Sequence, residues 1–122
     1  MIFQQVKSIA KSGTLLPGTN YTVKGLGKRR GETALVYRIP NNTGSGTHYE
    51  KGVTESEFEQ AYGKLVGTGA FTRKWFNANL SACAKDGPCN FIAIGKTFVL
   101  LGIADSGRGK YTGRLTKTGG KT

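Results

Sequence analysis

At 122 residues, with 37% apolar and 20% charged side chains, the chain can bury one modest core and is too apolar for a disordered segment. Its net charge of +11 sits at the two ends: residues 1–31 carry six Lys/Arg and residues 106–122 five, neither with an acid, while residues 32–105 carry seven of each sign and cancel. Such segregation fits a surface kept for a polyanion better than charge spread for solubility, because each neutralised phosphate releases a counterion. No run reaches the ~18 apolar residues of a membrane helix, since residues 91–104 are interrupted by Gly95, Lys96 and Thr97. No membrane association is therefore expected.

Residues 2–12 predict a short amphipathic helix, with Ile2/Phe3, Val6 and Ile9/Ala10 at helical spacing and Gly13 as its stop. This opening has neither the apolar core nor the cleavage site of a secretory signal, so a cytoplasmic location with reduced thiols is expected. Residues 19–39 predict a β-hairpin whose connection, Gly27-Lys28-Arg29-Arg30-Gly31, places three cations at the tip. Residues 40–52 are rich in Gly, Asn, Ser and Thr and predict a long polar loop.

Thr54 with Glu57 forms a capping box, and Val53 with Phe58 a hydrophobic staple. Phe58, Ala61, Tyr62, Leu65 and Val66 continue the helix as one apolar stripe, ended by Gly67 and Gly69. Thr72 can cap a second helix over 73–79, packed against the first at an angle through the turn 67–70. Within it Trp75 and Phe76 are adjacent, so one is core and the other partly exposed.

Residues 81–90 predict a loop. Cys83 and Cys89 flank the turn Asp86-Gly87-Pro88 and can bridge if oxidised, but two thiols and one histidine fall short of a structural zinc site. Asn90 is a candidate cap for a helix over 91–103 with Phe91, Ile94, Phe98 and Leu101 on one side, a hairpin being the alternative. A glycine-rich turn at 106–109 then leads into a basic strand, and 116–122 predict a disordered basic tail.

The expected fold is therefore α+β, a single domain over 1–115: an N-terminal helix, a β-hairpin, and a helical half closed by a basic ribbon, winged-helix-like in element order. In that arrangement a helix enters the major groove and the ribbon touches backbone. The expected function is non-catalytic nucleic-acid binding, duplex DNA ahead of RNA. Lys28, Arg29 and Arg30 on the hairpin tip, with Arg108, Lys110 and Arg114 on the ribbon, would hold phosphates, aided by Thr72 at a helix start. Arg73, Lys74 and Asn77 would face base edges. Tyr21, Tyr37 and Tyr111 could stack on unpaired bases.

Two alternatives compete. His48 with Glu50 and neighbouring arginines could cleave RNA without a metal, as a small toxin-like ribonuclease. An acidic protein partner could also take up the positive ends. No cofactor or metal is expected. Gly95-Lys96-Thr97 matches only the end of a phosphate-binding loop, because position 90 is Asn where that motif needs Gly.

Overall fold

A computed structural model describes residues 1–40 and 48–114. The described residues form an α+β domain with five helices and two small antiparallel sheets. In chain order these are α1 (Ile2–Ser8), β1 (Thr22–Arg29), β2 (Glu32–Pro40), β3 (His48–Thr54), α2 (Glu55–Thr68), β4 (Ala70–Thr72), α3 (Arg73–Asn79), α4 (Ser81–Asp86), α5 (Cys89–Leu100), β5 (Ala104–Gly107) and β6 (Lys110–Gly113). One sheet has the order β1-β2-β3 and the other β4-β6-β5.

The expected α1 stops early. Ile9 and Ala10 bond back to Val6 and Lys7, after which the chain turns to pair with β1 through Gly13 N–H to Val23 O and Val23 N–H to Thr14 O. Gly13, at φ +92, makes the reversal that a side chain would resist. The hairpin forms as expected, but its strands run on to Arg29 and Glu32, leaving Arg30-Gly31 as the two-residue turn. Both have positive φ (+47 and +80), the geometry of a type I′ connection.

The predicted polar loop over 40–52 is corrected in part. Residues 48–54 form β3, because Tyr49, Lys51 and Val53 alternate opposite Ile39, Tyr37 and Leu35 on β2. Glu50 and Gly52 had hidden that alternation, and residues 41–47 lie outside the described part. The capping box on α2 is present in both directions: Thr54 Oγ1 accepts from Glu57 N–H at 3.3 Å, and Glu57 Oε1 from Thr54 N–H at 2.9 Å. Phe58, Ala61 and Leu65 are buried while Val66 faces solvent, so the stripe is narrower than the pattern implied. The stop falls on Gly69 (φ +83), beyond Gly67, and the supposed turn then supplies strand β4.

The predicted loop over 81–90 contains helix α4, held because Cys83 and Leu80 both enter the core and Asn90 Nδ2 donates to Cys83 O at 3.0 Å. Residues 89–100 are helical, which settles helix over hairpin. Asn90 is not its cap; it is fully buried and accepts from the Tyr37 hydroxyl at 2.6 Å. Both cysteines are free thiols. The winged-helix detail finds no support in this order, because β4 joins the ribbon as a third strand and α3 spans only seven residues. The proposed tail, 116–122, lies outside the described residues.

The core is strongly aromatic. Phe71 of β4 sits at its centre, within 5.0–6.3 Å, ring centre to ring centre, of Phe76, Phe91, Phe98 and Tyr111. These rings join α3, α5 and the ribbon into one unit, and so fix where the cations of those elements stand.

Candidate nucleic-acid interface

The ribbon β5–β6 turns through Arg108-Gly109, with Gly107 paired to Lys110 and Gly109 at φ +70. Strand β4 pairs on its other side, Thr72 opposite Lys110, and Arg73 N–H reaches Gly109 O at 3.4 Å. The start of α3 therefore lies against the ribbon tip. Arg108, Lys110 and Lys74 are exposed there, and Asn77, three residues after Lys74, shares its helix face. Two segments more than thirty residues apart in sequence are thus brought together into one basic surface.

Thr72 caps α3 by accepting from Trp75 N–H at 3.1 Å, so its hydroxyl is already engaged there. Phe76 is buried and Trp75 half-buried, edge-on to Phe71 at 5.9 Å. Arg73 is half-buried as well: its guanidinium lies 4.6 Å from the Phe91 ring centre, and Nη1 donates to Pro88 O at 3.2 Å. Arg114 pairs with Asp105 at 3.5 Å.

The hairpin tip divides its three cations. Lys28 is exposed, and Arg29 lays its stem over Gly52 while Nη1 donates to Lys28 O at 2.7 Å. Arg30 turns inward, with Nε and Nη2 on Glu57 at 2.8 Å each, Nη1 on Asp86 at 2.9 Å and Nη2 on Gly52 O at 2.7 Å. Its guanidinium tethers the turn to α2 and α4, so the side chain expected to hold a phosphate is already engaged within the fold. No sequence signal marks this, since Arg30 stands beside Arg29 in the same run.

Three basic residues outside the expected site also stand near it. Lys85 joins Arg29, Arg30, Ala82 and Asp86 around an open cleft of about 460 Å³ beside the tip. Lys51 Nζ donates to Asp86 O at 2.7 Å. Lys96 Nζ reaches Ser106 Oγ at 3.0 Å. Only topology brings these near the hairpin and ribbon.

The other expected chemistry is weakened by its surroundings. Glu50 is clamped by Arg38 at 3.0 Å and Lys24 at 3.2 Å, whose hydrogen bonds hold its carboxyl below the usual range. Held in this way, it is a poor proton acceptor. His48 opens β3 opposite Pro40. Tyr37 and Tyr111 are buried and Tyr21 stacks on Tyr37 at 5.4 Å, so the ring faces suggested for base stacking are mostly occupied. Among the described residues no group of His, Cys, Asp and Glu could hold a metal ion. No described helix is long and apolar enough to cross a membrane.

Burial, then the nearby Glu57 carboxylate, pushes the Cys83 thiol well above its ordinary range. Cys83 is therefore expected to resist alkylation at pH 8 until the chain unfolds, a result that mass spectrometry of iodoacetamide-treated native protein checks directly.

No protein-family model matches the chain, no curated protein matches its sequence, and no solved structure matches its fold.

Proposed function

We propose that the chain is a non-catalytic nucleic-acid-binding protein that grips the phosphate backbone, of duplex DNA ahead of RNA. The observation that carries this reading is the meeting of Lys74, Arg108 and Lys110 where α3 abuts the ribbon tip. None of them, nor Lys28 or Lys85, has a hydrogen bond or ion pair to a carboxylate among the described residues. The acids that do pair serve other cations, Lys24, Arg30, Arg38 and Arg114. A surface of unneutralised cations gains most from a polyanion, through counterion release. Occupied aromatic faces favour a duplex over a single strand, which needs open rings to stack on.

Binding is expected to be salt-steep, with log K falling by about 0.9 per log unit of salt for each phosphate contacted. Fluorescence anisotropy with labelled duplex DNA, single-stranded DNA and RNA at two salt concentrations measures this. The triple reversal Lys28→Glu, Arg108→Glu and Lys110→Glu is expected to abolish binding to all sequences alike. Arg30 is excluded from that test because its loss would unfold the tip. Absence of binding to any nucleic acid at low salt would reject the reading and leave an acidic protein surface as the ligand of the positive ends.

A further inference from the structure

Arg73 and Lys96 differ from the exposed cations around them. Both are half-buried, and neither has a carboxylate partner among the described residues. Arg73 has the Phe91 ring face and one carbonyl, and Lys96 has the Ser106 hydroxyl and the Tyr111 ring centre at 5.9 Å. A ring face and a neutral acceptor hold each cation in place without neutralising its charge. Of the five N–H donors of a guanidinium and the three of an ammonium, one each is used on these partners.

The two cations belong to one seam. Phe91, beneath Arg73, packs on Tyr111, beneath Lys96, with ring centres 5.3 Å apart. Arg73 also lies close enough to Tyr21 and Tyr111 to favour their ionised forms, against the burial that raises both hydroxyls. Gly18, at φ +73, closes the side next to Lys96: a Cβ there would stand 3.2 Å from Nζ. Glycine at this point leaves the ammonium room, and the Ser106 hydroxyl anchors it.

We propose that Arg73 and Lys96 form a phosphoryl-binding clamp on the seam between α3, α5 and the ribbon. The missing counter-charge is then supplied by the ligand. An anion with charge spread over several oxygens suits a forked guanidinium and a point-charge ammonium acting together. The phosphoryl chemistry stands without the nucleic-acid reading. Its assignment to a backbone phosphate rests on that reading, with a free polyphosphate as the other source.

Lys96→Met keeps the stem and removes the charge. The test measures thermal melting with inorganic pyrophosphate, and duplex DNA affinity by anisotropy, for wild type and this variant. The expected result is a saturable rise in wild-type Tm that the variant lacks, together with about tenfold weaker duplex binding and a salt slope shallower by about one, as for one lost phosphate contact. Pyrophosphate stabilisation lost in the variant with duplex affinity unchanged, or with a wild type that binds no nucleic acid, keeps the clamp and makes a free polyphosphate its ligand. Equal pyrophosphate response and equal duplex affinity in both proteins overturns the clamp, even where wild type binds duplex tightly. Should the variant fail to fold, amide shifts of wild-type protein titrated with pyrophosphate decide. Changes centred on Gly18, Arg73 and Ser106 support the clamp, and changes confined elsewhere overturn it.

Discussion

Replacing Arg30 with methionine is expected to destabilise the protein by about 3 kcal/mol, the lower end of the range for removing one partner of a buried ion pair, because this pair keeps some solvent contact. The carboxylate left behind, Glu57, is only 8% exposed and keeps its capping role at the start of α2. Without Arg30 it would retain Thr54 N–H and lose two charged hydrogen bonds of 2.8 Å. The turn also relies on this side chain. Arg30 adopts φ +47, which costs a non-glycine residue about 1 kcal/mol or more. Contacts to Glu57, Asp86 and Gly52 O outweigh that cost and tie β1–β2 to two helices. Urea unfolding measures the loss, and one below about 1 kcal/mol would reduce the network to the standing of a surface pair.

A double-mutant cycle sharpens this. Glu57→Gln keeps the capping box, which accepts glutamine, and removes the charge. The pair Arg30→Met/Glu57→Gln is expected to cost clearly less than the sum of the singles, since no buried charge is then stranded. The pH dependence follows from the same carboxyl. Burial pushes it up, but hydrogen bonds from Arg30 and the Thr54 backbone more than offset that and hold it below 4.5. A carboxyl depressed in the folded state contributes stability above its unfolded value and loses it as pH falls. Stability is therefore expected to decline as pH drops below about 4.5, and Glu57→Gln to flatten part of that limb.

Gly95→Ala carries the second large effect. In an exposed helix interior this change would stabilise by about 1 kcal/mol, because glycine is the poorer helix former. Here the added methyl would fall among the ring atoms Cδ2, Cε2 and Cζ of Tyr111. The ring is buried against Phe71 and Phe91 and has no space to yield. Either the ring leaves, forfeiting the burial of a large aromatic, or the ribbon lifts from α5. Both outcomes cost about 3 kcal/mol or more, which reverses the sign set by helix propensity. Tyr111→Ala is expected to cost a similar amount, and Gly95→Ala/Tyr111→Ala little more than Tyr111→Ala alone, because the emptied space accepts the methyl. Additive costs, or a stabilised Gly95→Ala, would show that helix and ribbon do not meet as described.

Gly95 also shows why part of the design was hidden from sequence. As a string, Gly95-Lys96-Thr97 is an incomplete phosphate-loop ending. In the fold Gly95 seats Tyr111, Lys96 reaches Ser106, and the buried Thr97 hydroxyl donates to Ala93 O at 2.7 Å. Each role depends on a partner distant in the chain or on which helix face is covered. The same holds for Arg30, whose partners lie 22 to 56 positions away.

What the sequence determined by itself was local. The capping box at Thr54 and the cap at Thr72 are short-range patterns and both are realised, while of the glycine-rich turn expected at 106–109 only Arg108-Gly109 makes the reversal, Ser106 and Gly107 ending β5. The segregation of charge was equally visible, because it is a property of composition. Tertiary structure decided which cations share a surface, which turn inward, and where strands β3 and β4 form. Strand pairing and charge pairing are settled by distant partners, and a single chain read in order contains the residues but not their distances.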